Sequence, residues 1–152
     1  ICIHLKIGKN IIMEFKQTEQ QLTETDFRKK EKKIGLAFPD DFKAHYLKFN
    51  GGYPQYDYVK GVKNIFTINS FDSIKYGLLP IEKLIADYNK SGIDFGKKIP
   101  FANDNGDNTF LISLDNSDYG NIYIIEAEFL EEKNFILVSE TFTDFLNSFY
   151  NE

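Results

Sequence analysis

Apolar residues recur at helical spacing through the first half of the chain and in short dense runs between polar turns through the second. Thr23 stands as a helix N-cap, with Asp26 three residues on as the acid of a capping box. Leu22 before the cap and Phe27 in the second turn have the placing of a hydrophobic staple. This pattern predicts a helix to about Lys33 that stops at Gly35. Its face from Arg28 to Lys33 is dense in charge and reads either as a solvated surface or as a basic contact patch. Pro39 then starts a second helix, with Asp40 and Asp41 at the positive end of its dipole. Phe42, Tyr46 and Phe49 form its apolar stripe, and Asn50, Gly51 and Gly52 supply a left-handed exit. A Tyr-rich loop follows over 51–58, and residues 62–71 read as one strand or two short ones. Ile81, Leu84, Ile85 and Tyr88 again have helical spacing behind Pro80, closed by Ser91 and Gly92.

The second half changes period. Ile99, Pro100 and Phe101 lead into a dense turn over 103–108, and a strand follows over 109–114. A second turn covers 115–121, with further strands over 122–125 and 135–138. These elements read as an antiparallel meander. Thr141 caps a last helix with Phe142, Phe145, Leu146 and Phe149 at helical spacing. Strands flanked by helices without βαβ alternation predict an α+β fold, an antiparallel meander sheet flanked by helices in a single domain over 13–152. The expected shared core is Phe42, Tyr46, Phe49, Leu84, Phe101, Phe110, Leu114, Phe142, Phe145 and Leu146. Residues 1–12 stand apart. Ile1 to Ile7 alternate as a strand does, and the segment reads either as an added strand or as sequence upstream of a start at Met13, the only methionine.

Composition narrows the function classes. The chain of 152 residues carries 18 basic and 23 acidic residues, a formal charge of −5, which argues against a nucleic-acid footprint and leaves room for a basic protein partner. Fifteen Phe and nine Tyr with no Trp predict a Phe-rich core with Tyr at its margin. The single Cys2 excludes an internal disulfide framework and fits a reducing, cytoplasmic setting. No apolar run reaches the length of a membrane span.

Candidate chemistry is thin. Of the two histidines, His45 lies near the apolar face of its helix and reads as a structural residue; no Ser beside it has a nucleophile's context. The turn acids Asp104, Asp107, Asp115 and Asp118 are the best metal candidates, yet the calcium-loop spacing fails and Asp and Asn are common in hairpin turns. No catalytic site, metal or cofactor is therefore expected. What remains is a binding surface. Tyr53, Tyr56 and Tyr58 with Asp57 form one candidate patch, and Asp104 with Asp107 another. Tyr contributes contact area at low entropy cost, and carboxylates suit a basic partner.

Four segments in order carry a family resemblance. They are residues 36–52, residues 79–84, the strand–turn–strand over 99–114 continued by Gly120 to Tyr123, and residues 138–146. Together they resemble the SUKH superfamily, the Smi/Knr type of small α+β domain. The turn departs from the family's glycine-rich form: Gly106 is its single glycine, and Asn and Asp take the other places. The segment before Thr23 has no match. The resemblance implies a non-catalytic, protein-binding role. Bacterial members are similar to immunity proteins that neutralise polymorphic toxins, often nucleases or deaminases, and fungal members look like signalling scaffolds. The expected function is toxin neutralisation, against a scaffold for an endogenous signalling or cell-wall partner and a metal-dependent hydrolase using the turn acids.

Overall fold

The computed structural model describes residues 13–152. The strand pattern of Ile1 to Ile7, with Cys2 and His4, lies outside the described residues. A short strand β1 (Phe15–Lys16) precedes α1 (Glu24–Ile34), α2 (Asp40–Lys48), β2 (Tyr53–Pro54), β3 (Tyr58–Lys60), β4 (Ile65–Thr67) and β5 (Ser70–Phe71). Helix α3 (Ile81–Lys90) leads to β6 (Lys98–Asn103), β7 (Thr109–Ser113) and β8 (Ile122–Ile125). A 3-10 turn (Ala127–Phe129), β9 (Ile136–Ser139), α4 (Phe142–Asn147) and β10 (Phe149–Tyr150) complete the order. The fold is α+β.

The caps act as the sequence predicts. Thr23 Oγ1 accepts the Asp26 amide while Asp26 Oδ2 accepts the Thr23 amide, and Gly35 closes α1 at φ 73°. Leu22 and Phe27 are both buried. Thr141 caps α4 through the Asp144 amide. Pro39 differs slightly: at φ −57° and ψ 147° it is the N-cap of α2 and not its first helical residue. An extended ψ is what the next residue's entry into the helix requires, so the ring fixes the approach.

The meander forms the larger sheet, in the order β5-β6-β7-β8-β9 and antiparallel throughout. A bulge at Phe101 shifts the β6–β7 register, from Pro100↔Leu111 to Ala102↔Phe110. Strand β7 is buried along its whole length. Phe110 and Ile112 enter the main core with Phe42, Tyr46, Phe71, Phe101, Phe142, Phe145 and Phe149. Leu111 faces the other way, into a small cluster with Ile93, Phe95 and Ile125. A second sheet, β10-β3-β4, and a two-stranded β1-β2 ribbon flank this body.

Three core expectations need correction. Leu84 belongs to neither cluster; Ile81 and Ile85 carry the buried arc of α3. Phe49 and Leu146 are half-buried at the margin; α2 ends at Lys48 with Phe49 already extended at φ −133°, and Leu146 lies on α4. Phe149 is buried on β10 and not on a helix, since α4 stops at Asn147.

The exit from α2 is built on Asn50 and two glycines. Gly52 has φ +100°, and a Cβ there would stand 2.5 Å from the Lys16 carbonyl, so only glycine lets β1 pass this close. Asn50 is 2 % exposed. Its Nδ2 donates to the Gln20 and Ile74 carbonyls at 2.9 Å each, and its Oδ1 accepts the Ile74 amide at 2.7 Å. One side chain thus ties three segments. Asn50→Ala should cost about 2–3 kcal/mol in urea unfolding, because it leaves buried backbone groups unpaired. A loss below about 1 kcal/mol would show that those groups find other partners.

Candidate interaction surface

The outer face of the β10-β3-β4 sheet is set by register. Opposed residues in antiparallel strands share a face. Phe149↔Val59↔Phe66 forms the inward row, and Tyr150↔Tyr58↔Thr67 the outward row. Tyr58 and Tyr150 stack with ring centroids 5.5 Å apart. Lys60 and Ile65 form the next outward pair, with Ile65 61 % exposed. Val62, within the β3–β4 turn, is also exposed.

The 103–108 turn adjoins this face. Thr67 Oγ1 accepts the Asn105 amide at 3.2 Å, and Asn69 donates to Asn103 Oδ1 at 3.0 Å. On the other side, the Asp57 amide donates to Asn151 Oδ1 at 2.8 Å and the Asp57 carbonyl accepts the Ile68 amide. Asp57 and Tyr58 are therefore linked to the acidic turn through β4, whereas Tyr53 lies on the separate β1–β2 ribbon.

The six expected residues divide by what their side chains already do. Tyr53, on β2 opposite Lys16, is 46 % exposed. Tyr56 packs its ring against the main core. Asp57 and Asp107 are exposed, and Asp107 takes the left-handed conformation at φ 64°. The left-handed position of the turn thus falls on an Asp, as the glycine-poor sequence allows. Asp104 is turned inward: its Oδ1 accepts the Gly106 and Asn108 amides, and its Oδ2 accepts Asn108 Nδ2 at 2.9 Å. It organises the turn.

The other turn acids are similarly engaged. Asp115 Oδ1 accepts the Ser117 amide and hydroxyl at 3.1 Å each; Asp118 accepts Ser113 Oγ at 2.5 Å and the Tyr123 hydroxyl at 2.6 Å. These bonds hold both carboxyls below the usual range, although partial burial pushes Asp118 the other way. Among the described residues no group of three or more His, Cys, Asp or Glu side chains could hold a metal ion.

His45 is 8 % exposed, inside a cage of Phe15, Tyr46, Phe49, Phe71 and Phe142 rings. Its Nε2 is buried and has no hydrogen-bond partner among the described residues. Burial, with a smaller push from Lys48, lowers its pKa to about 3 and keeps the ring neutral. A ring nitrogen with no hydroxyl or thiol bonded to it has no nucleophile to activate.

Sequence reasoning passed over Asp72, which follows Phe71 on no periodic pattern. It is half-buried, and its partial withdrawal from water pushes its pKa up to about 6. It also passed over Leu78, an apolar residue that is 98 % exposed. The one local signal was a Leu pair before Pro80 that lies outside the helical stripe.

A sequence profile described as SMI1 / KNR4 family (SUKH-1) matches residues 21–148. The chain belongs to this family. No curated protein is matched by the chain. The SUKH-1 match opens at the Leu22–Thr23 staple and cap and closes just after α4, so it contains the meander, the acidic turn and β3. It leaves out β1 and β10. Tyr150, which completes the outward Tyr pair, is thus outside the family match, while Tyr58 is inside it. No helix among the described residues is long and apolar enough to cross a membrane.

Proposed function

We propose that this SUKH-1 protein is a non-catalytic immunity protein of the cytoplasm that binds a polymorphic toxin and occludes its active site or the surface beside it. The observation that carries this reading is the outward face of the β10-β3-β4 sheet. Stacked Tyr58 and Tyr150 and exposed Ile65 and Val62 provide an apolar, aromatic centre, with Asp57 and Asp107 at its border. Aromatic anchors inside a charged rim are the usual anatomy of a protein-binding hot spot. A toxin that acts on nucleic acid presents basic surface, which an acidic rim complements. The hydrolase reading has less support, because Asp104, Asp115 and Asp118 already serve as hydrogen-bond acceptors within their turns.

The test is binding to the product of the neighbouring gene, which this reading expects to be the toxin. Tyr58→Ala should weaken the complex by about 1–2 kcal/mol with the fold intact. Asp107→Lys should mainly slow association and flatten its salt dependence. Binding measured at two ionic strengths checks both. Unchanged affinity and salt slope in both variants would place the interface elsewhere. Capture of a resident signalling or cell-wall protein with no affinity for the neighbouring gene product would favour the scaffold reading.

A further inference from the structure

A groove of about 200 Å³ opens between α1 and α3 and shares no lining residue with the β10-β3-β4 sheet. Ile74, Ile81, Ile85 and Ile99 line its depth, and Ile34 at the edge is 39 % exposed. A cavity of about 150 Å³ holds benzene, so the groove has room for one phenyl ring. Its rim is basic. Lys30 and Lys33 border it, and an adjoining hollow that shares both adds Lys29 and Lys75. The carboxylates here are already matched: Glu82 pairs with Lys30 at 2.7 Å and Asp26 with Lys75 at 2.7 Å. Lys29 and Lys33 are exposed and have no ion pair among the described residues. The charge-dense face of α1 is therefore a cationic wall beside an apolar slot, on a chain whose formal charge is −5.

The same chain carries a segment of opposite character. After β8, the 3-10 turn Ala127–Phe129 exposes Phe129 to 46 % between exposed Glu126, Glu128, Glu131 and Glu132. No ion pair holds any of the four among the described residues, and Lys133 is the one cation beside them. The turn is fixed. The Ala127 amide donates to Asn108 Oδ1 at 2.9 Å, and the Phe129 amide donates to the Glu126 carbonyl at 3.0 Å. Leu130 packs inward against the Ile93, Phe95, Leu111 and Ile125 cluster, while Phe129 stays outside. An aromatic ring held in water inside a ring of carboxylates is an anchor without a pocket, and the α1–α3 groove is a pocket without an anchor.

We propose that the groove receives the Phe129 turn of a second copy of this chain, the ring against Ile34, Ile81 and Ile85 and the glutamates on Lys29 and Lys33. Size, apolarity and sign of charge all match. The lysine stems add apolar wall while their heads stay in water to meet the carboxylates. One ring and a charged rim make a small interface, so the association is weak and sensitive to salt. It uses neither Tyr58 nor Tyr150 and leaves the outward sheet face free for a different partner.

Sedimentation of the full chain up to millimolar concentration tests this. The mean mass should rise with concentration and fall back when salt is raised. Phe129→Ala, Lys33→Glu and Glu131→Lys should each weaken self-association at least about tenfold. All three positions are exposed, so urea midpoints close to the parent's will separate lost contact from lost folding. Mixing Lys33→Glu with Glu131→Lys should restore association, because each variant then meets the opposite charge on the other. A parent that stays monomeric throughout would overturn the proposal. So would undiminished association of Phe129→Ala, or a mixture no better than its separate components. A monomeric parent whose Ile34 and Ile85 amides shift on adding an acetylated peptide of residues 126–132 would also overturn it, and would give the groove to an acidic segment of another protein.

Discussion

Phe71→Ala should remove about 3–5 kcal/mol of unfolding free energy, the cost of a large cavity where a buried ring stood. Phe71 is 4 % exposed and lies at the meeting point of the aromatic core. Its ring approaches those of Phe15 at 4.9 Å, Phe101 at 5.5 Å, Phe149 at 6.1 Å and Phe145 at 6.2 Å, from four different elements. Several of these pairs are edge-to-face, the arrangement that adds to simple burial. The surroundings cannot collapse easily into the space, because β5 is held to β6 at Ser70↔Asn103 and Phe71↔Ala102, and Phe71 also bridges Gly52. With ordinary domain stability of about 5–15 kcal/mol, the variant should sit near the edge of folding. Phe129→Ala, at a ring 46 % exposed, is the control and should change stability by no more than about 0.5 kcal/mol. Urea unfolding of both variants checks the contrast. Equal small losses would mean that Phe71 is not a centre of the core.

The sequence did not single out Phe71, and the reason is general. Elements with local signals were legible. Thr23 with Asp26, Thr141 and Ser91 with Gly92 mark helix ends by their own chemistry, and the 103–108 and 115–121 turns separate strands of adequate length. Strands β1, β2, β5 and β10 have two residues each, too few for any period, and their pairings are long-range: Phe15↔Pro54, Ser70↔Asn103 and Tyr150↔Tyr58. Residues 62–71 divide between two sheets, with β4 in one and β5 in the other. Positions 81, 84, 85 and 88 are all apolar, so periodicity alone places Leu84 in the core; the stripe is wider than the face the sheet can cover. The same limit applies to the surface. A Tyr-rich segment was visible, but not that Tyr56 turns inward while Tyr58 turns outward, since the strand begins between them. Asp104 and Asp107 looked equivalent until the turn's hydrogen bonds separated an organiser from an exposed acid. Asp72 becomes conspicuous only when the fold buries it.

His45 and Asp72 should give the chain opposing pH responses that single substitutions separate. Burial holds the folded pKa of His45 at about 3, against an ordinary value of 6.5. Below 6.5 the unfolded chain takes up a proton that the caged ring does not, so stability falls with pH between 6.5 and 3. From pH 7 to 5 this amounts to about 2 kcal/mol, and near pH 3 to about 4–5 kcal/mol. Asp72 has a folded pKa of about 6 against 3.8. Between those values the folded state holds a proton that the unfolded chain releases, so stability rises as pH falls, by about 1 kcal/mol from pH 7 to 5. The two nearly offset in the parent protein. His45→Leu keeps an apolar group of similar volume in the cage and leaves the Asp72 contribution alone. Its stability should therefore increase on going from pH 7 to 5, relative to the parent. Asp72→Asn leaves the His45 contribution alone and should lose about 2 kcal/mol over the same interval. Lys48 is the one charge acting on His45, and its push has the same sign as that of burial. Urea midpoints of the parent and both variants at pH 7, 6 and 5, with buffers matched in ionic strength, measure the slopes directly. Parallel slopes in all three proteins would mean that neither group is held away from water as the fold places it.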